Sequence, residues 1–193
     1  MFDSHLEYKL SPRIIIYSCS SDNESDNSCT PIACLNGGTQ TTDCGCDCSD
    51  GYIGSDCSTR LIPISVKITN ITVKKFPNLD NGNLWDALSD ADITFTIESP
   101  SDIEIYEEPT YYNDASGLNV SYPFTLDPAL TIYNVTGNHT LYLFDYDDLL
   151  LDDFMAGLVF KPYDSSREGF PTSFTISNNA NTFECDFTVE YTW

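Results

Sequence analysis

From Leu61 to the end of the chain, apolar and polar residues alternate with a period of two. The clearest run is the last, where Phe183, Cys185, Phe187, Val189, Tyr191 and Trp193 alternate with Thr182, Glu184, Asp186, Thr188, Glu190 and Thr192. Successive side chains of a strand point to opposite faces, so such a run has one face for a core and one for water. Val66 and Ile68 repeat the pattern, as do Ile93, Phe95 and Ile97. β-branched and aromatic residues dominate and no helical face is present, which is strand chemistry. The turn-rich stretches 76–83, 110–117, 136–139 and 162–169 divide the strands at the spacing of an antiparallel sandwich of seven or eight strands. Cys185 falls on the apolar face of the last strand, which predicts a buried thiol acting as a small hydrophobe.

The first part of the chain has a different pattern. Residues 1–28 hold one short apolar patch, Ile14 to Tyr17, followed by Ser18, Cys19 and a polar string over 20–28. Such a string buries too little surface to fold and reads as a disordered tether. Six of the eight cysteines (Cys29, Cys34, Cys44, Cys46, Cys48 and Cys57) then fall within 29 residues that have almost no apolar periodicity. A segment of that kind folds only when it is cross-linked or metal-bound. Zinc is the competing explanation, but the segment lacks histidine and paired two-residue cysteine gaps. No stretch approaches the roughly 18 apolar residues that a membrane-spanning helix requires.

Charge narrows the partners. Thirty acidic residues face eight basic ones, a formal net charge of -22, which disfavours nucleic acid and anionic lipid. The acids concentrate in two loops between strand-like segments, residues 85–95 and 144–157. Calcium takes six to eight oxygen ligands, which loop carboxylates can supply. Loops that are merely solvated are the plainer explanation.

Three resemblances add to this reading. The spacing of the six cysteines, with CLNGGT after the second and Gly51, Tyr52 and Gly54 before the last, resembles the EGF family. That family's connectivity implies bridges from Cys29 to Cys44, Cys34 to Cys46 and Cys48 to Cys57. Its usual third cysteine is here Gln40, so Cys44 takes that part. The apolar patch ending in Ser18-Cys19 and followed by an acidic, serine-rich tail resembles the attachment site of Bacteroidetes-type surface lipoproteins, which implies cleavage of a signal peptide, acylation of Cys19 and display at the cell surface. Finally, Asp145, Asp147 and Asp153, spaced D-x-D-x5-D after the strand LYLF, look like a calcium loop of the C2 family, and Asp86 and Asp92 look like another. This resemblance covers about residues 64–193 and implies a calcium site built from those five aspartates. Asp90, Asp148 and Asp152 are expected to be bystanders. Ala156 is an extra residue before Gly157, and the lysine-rich strand used for phosphoinositides has no counterpart. The triplet Leu149-Leu150-Leu151 is expected at the tip of the second loop, facing a protein partner.

Enzymatic chemistry finds little support. Paired carboxylates about 5 to 9 Å apart can hydrolyse glycosides, but such sites lie in clefts with aromatic platforms, and nothing in the sequence marks a cleft. His139, in the turn-like Gly137-Asn138-His139-Thr140, is expected to be a turn or surface histidine. No serine-hydrolase, zinc-protease or phosphate-loop motif occurs.

The expectations combine into an all-β protein. It has a tether over 1–28, a small disulfide-rich EGF-like module over 29–58 and an eight-stranded antiparallel C2-like β-sandwich over 61–193. The expected function is non-enzymatic and extracellular: a calcium-bearing binding or adhesion module for a protein or glycan ligand, touching the membrane only through a lipid anchor at Cys19. A structural spacer with no metal site is the alternative.

Overall fold

The period-two segments become strands in a computed structural model that describes residues 30, 32–86, 89–117, 119–147 and 151–193. Among these residues there are thirteen strands and no helix. Accordingly, no described helix is long and apolar enough to cross a membrane. The tether and Cys19 lie outside the described residues.

In the cysteine-rich segment, β1 (Thr39–Gln40) pairs with β2 (Cys46–Asp47), and β3 (Tyr52–Ile53) pairs with β4 (Thr59–Arg60), both antiparallel. Cys34 is bonded to Cys46 and Cys48 to Cys57. Cys44 is disulfide-bonded too; Cys29, its expected partner, lies outside the described residues. Two-residue strands bury almost nothing, so the cross-links and the neighbouring sandwich must hold the segment together.

That neighbour is close, because residues 31–193 form one compact unit. Gly51 lies where a Cβ would come within 2.4 Å of the Phe170 ring and 2.7 Å of Trp193, and its φ of 84° is one that only glycine adopts freely. Tyr52 packs edge-on against Phe170, which also meets Trp193 at 4.3 Å between ring centres. The Arg60 guanidinium donates to the carbonyls of Arg167 (2.7 Å), Gly169 (2.9 Å) and Ser165. A planar five-donor group suits such a loop, because it satisfies several carbonyls at once.

The sandwich consists of β5 (Ser65–Lys75), β6 (Ala91–Glu98), β7 (Glu104–Glu107), β8 (Tyr112–Ala115), β9 (Tyr122–Ile132), β10 (His139–Asp145), β11 (Asp153–Phe160), β12 (Ser173–Ser177) and β13 (Glu184–Thr192). One sheet runs β11-β10-β6-β7, with β8 also on β6; the other runs β12-β13-β5-β9. Every pairing is antiparallel. β7 and β8 both pair with β6 and occupy one edge, interrupted at Glu108 to Tyr111. The architecture is therefore eight strand positions with one edge strand broken. The stretch 110–117, which reads as a turn, supplies the second half of that edge.

Core residues come from both sheets. Phe95 meets Phe124 at 5.1 Å and Phe160 meets Phe187 at 4.6 Å, each pair joining one sheet to the other. Cys185 is a free thiol, fully buried among them. β5 would present only half its apolar residues to this core if it alternated without interruption. In its pairing with β13, Thr188 meets Asn70 and Val189 meets Ile68, so Thr69 is left over; this re-phases the strand, and Val66, Ile68, Ile71 and Val73 are all buried. This is the usual effect of a bulge: one extra residue, here Thr69, shifts which side chains face inward.

Candidate functional site

β10 positions the central carboxylate. Its inward residues are His139, Leu141 and Leu143, and the next inward position is Asp145. The alternation that buries two leucines therefore drives an aspartate into the end of the core, where it is 2% exposed. Its Oδ1 accepts the Asp92 N–H at 2.6 Å, and the Tyr146 N–H donates to the Asp92 carbonyl at 2.7 Å. Two loops distant in sequence are thus stitched together at the backbone.

A second bulge sets what faces Asp145. Leu143 pairs with Ala156 but Phe144 pairs with Phe154, so Met155 is extra. In an unbroken ladder Asp145 would lie opposite Phe154; the bulge places it opposite Asp153. Ala156, read from the sequence as the extra residue, keeps its partner Leu143; Met155 is the one left over, and the bulge brings two carboxylate positions face to face.

The other aspartates stand around this pair. Burial raises the Asp145 carboxyl from 3.8 to about 6, opposed by the Asp92 N–H and reinforced by the charges of Asp86, Asp147 and Asp92. Asp147 is also raised, first by desolvation and then by Asp153, Asp86, Asp152 and Asp92. All five expected aspartates thus lie within electrostatic reach of Asp145 or Asp147. Asp152, expected to be a bystander, belongs to the group: it accepts the Asp147 N–H at 3.2 Å and adds its charge. Asp92 further accepts the Asp114 N–H at 2.8 Å, and Asp86 accepts the Ser89 hydroxyl at 3.2 Å. Among the described residues, no three His, Cys, Asp or Glu side chains form a ready-made metal-holding group. Of the apolar triplet, Leu151 is 91% exposed, while Leu149 and Leu150 lie outside the described residues, as does Asp148. Asp90 sits in the first loop, partly exposed.

One expectation is corrected, and one feature lies outside what the sequence indicates. His139 is neither a turn nor a surface residue: it opens β10 and is 1% exposed. Its Nδ1 lies 3.0 Å from the Gly137 carbonyl, and burial lowers its pKa. The turn-like residues before it end one position earlier than their composition suggests. A cleft of about 290 Å³ is also present, although nothing in the sequence marked one. Its floor is the outer face of β6 at Thr94 and Thr96, and its walls include Tyr111, Phe144 and Tyr146. These residues are far apart in sequence, so no local motif announces them; the single clue was the tyrosine pair in residues 110–117.

A buried carboxylate anchors the cleft rim. Glu108 accepts from the Tyr106 hydroxyl (3.0 Å), the Thr110 hydroxyl (2.6 Å) and the Thr110 N–H (3.2 Å). The Thr94 hydroxyl lies 3.2 Å from both the Glu108 and Thr110 carbonyls. Burial and the bond to Glu108 push the Tyr106 phenol well up, so it remains a donor. These bonds fix the break between β7 and β8.

No protein-family model matches this chain, and no curated protein sequence does. Solved structures of similar fold include one described as a C2 domain, at 10% identity and a TM-score of 0.46, covering 67% of this chain and 98% of that one. A C2 domain of a plant extended synaptotagmin 1 is similar at 14% identity and a TM-score of 0.39, covering 68% and 96%. Human GIVD cytosolic phospholipase A2 is similar at 17% identity and a TM-score of 0.39, covering 66% of this chain but 16% of the enzyme.

Proposed function

We propose that this protein is an extracellular, non-enzymatic binding head, carried on a lipid anchor at Cys19, whose loop aspartates take up calcium and so order a recognition surface for a protein or glycan ligand. One observation carries the calcium part: among the described residues, the charges that bear on the buried Asp145 are the carboxylates of Asp86, Asp147 and Asp92. Like charges gathered at a half-dry loop end disfavour ionisation, and a cation offsets that cost. The donor chemistry fits a hard ion, since Asp86, Asp92, Asp145, Asp147 and Asp153 offer only oxygen. When bound, calcium would supply the positive charge that this end of the sandwich lacks. The chain's own residues prepare for it: the Asp92 N–H fixes one oxygen of Asp145, and the bulge at Met155 sets Asp153 opposite.

The extracellular part rests on the disulfides of the cysteine-rich segment, which persist in oxidising compartments. A metal-free spacer, in which the loop carboxylates are only solvated, is the competing reading. Calorimetric titration of the full chain with calcium separates the two. Saturable binding, lost in Asp147→Asn and much weaker for magnesium, is expected for the binding head; no heat beyond dilution supports the spacer.

A further inference from the structure

The cleft beside the broken edge strand has a chemistry of its own. Its side chains include ring faces (Tyr111, Phe144 and Tyr146), carboxylate acceptors (Glu107 and Asp152) and three threonines, of which Thr94 and Thr110 already spend their hydroxyls on internal bonds. None of its described lining residues is basic or an amide. Tyr111 and Tyr146 stack at 4.6 Å between ring centres, with planes 19° apart, so each covers one face of the other and the pair makes a two-ring wall with only its outer faces and edges open. Tyr111 is half-exposed, and Glu107 and Asp152 are solvent-facing. The buried Glu108 carboxylate lies behind the rim, hydrogen-bonded to neutral donors.

Such a lining complements a donor-rich cation. A neutral glycan needs donors and acceptors in comparable number, whereas a guanidinium has five N–H groups and a flat face that stacks on aromatic rings. The chain does not neutralise the cleft with its own described side chains. Lys67 is paired with Glu190 and Lys74 with Glu184 and Asp186; Lys75, Arg60 and Arg167 donate to backbone carbonyls; and Lys161 lines a different cavity. Elsewhere the protein already uses this contact: the Arg167 guanidinium lies 3.7 Å from the centre of the Phe174 ring. We infer that the cleft formed by Tyr111, Tyr146, Phe144, Glu107 and Asp152 is a recognition site for an arginine side chain presented by a basic segment of a protein partner. The guanidinium stacks on the tyrosine wall and donates to Glu107 and Asp152. The inference names the class of partner for the binding head, and it needs none of the five candidate calcium ligands.

The test is a titration of the isotope-labelled full chain with acetyl-Gly-Gly-Arg-Gly-Gly-amide, followed by backbone amide shifts. It is run first in excess chelator and then in calcium. A matched peptide carries neutral citrulline in place of arginine, and a neutral oligosaccharide is titrated separately. The arginine peptide is expected to shift the amides of Thr96, Glu107, Tyr111 and Tyr146 saturably, and the citrulline peptide to leave them in place. Glu107→Gln, on an exposed edge, should weaken binding about tenfold, and Tyr111→Leu similarly, with unchanged thermal midpoints. Equal binding of citrulline, unsaturable shifts spread over the acidic surface, or unaltered affinity in both variants would overturn the inference. So would occupation of the same amides by the oligosaccharide while arginine leaves them unmoved. Binding that is the same with chelator and with calcium upholds the cleft even where the calcium reading fails.

Discussion

Replacing Asp145 by asparagine probes the electrostatic centre with little change in shape. The amide oxygen can still accept the Asp92 N–H, but the charge is gone. Moving a carboxyl from 3.8 to about 6 corresponds to about 3 kcal/mol of unfavourable ionisation in the folded state. The surrounding loop carboxylates are solvated and screened, which trims the expected effect to about 1–2 kcal/mol. The sign follows from the direction. A raised pKa means that the folded state holds the proton more tightly than the unfolded one, so the strain is absent below about pH 4, grows between pH 4 and 6, and is complete above pH 6. Without calcium, Asp145→Asn should therefore match the parent near pH 4 and exceed it at pH 7.5 by about 1–2 kcal/mol, or about 2–8 °C in thermal midpoint. Urea unfolding of both proteins at the two pH values, in chelator, reads the difference directly. A variant no more stable than its parent at pH 7.5 would refute the claim that Asp145 is held ionised against its surroundings.

Other outcomes follow from the packing. Gly51→Ala should destabilise the chain by about 2–4 kcal/mol in urea unfolding, because the new methyl meets Phe170 and Trp193 and the backbone resists a side chain there. Arg60→Met removes donors from three carbonyls and should cost about 2–4 kcal/mol by the same measurement, with far less effect if the contact between the cysteine-rich segment and the sandwich were incidental. Burial raises the Cys185 thiol well above its ordinary value, so it should resist a thiol-specific chromogenic reagent at pH 8 in the native protein and react promptly in denaturant.

Much of the sandwich was legible because one physical rule writes it. Where a strand alternates without interruption, as in Phe183 to Trp193 or Ile93 to Ile97, the buried face can be named residue by residue. The rule stops at bulges. Nothing in VKITNITVKK states that Thr69 is the residue that drops out of step, since that depends on the partner β13. The bulge at Met155 is equally unmarked, since Ala156, the residue read as extra, stays paired with Leu143 and only the pairing with β10 shows which residue is left over. The broken edge was harder still. Residues 110–117 carry the small and polar residues of a turn, yet their backbone pairs with β6, because edge strands tolerate such residues when one side is open to water.

The acidic end shows a similar division. The two aspartate-rich loops could be located from composition, and their spacing suggested partners. Which aspartate is buried follows from β10 alternation, but the inclusion of Asp152 depends on a hydrogen bond across the loop that no spacing encodes. The aromatic cleft was invisible, because its walls come from β6, β10 and the break after β7. His139 was misplaced for a related reason: the composition of a turn continued into the first inward position of a strand.

The most direct test of the central claim is the thermal midpoint of the full chain at pH 7.5, measured with excess chelator and then with calcium, beside an Asp145→Asn and Asp147→Asn double variant. A ligand that binds only the folded state stabilises it by about 2.7 kcal/mol at one hundred times its Kd. The parent is then expected to rise by about 5–11 °C, and the double variant to stay where it was. A parent midpoint that ignores both calcium and chelator would contradict the account and leave the acidic loops as a solvated end of the scaffold.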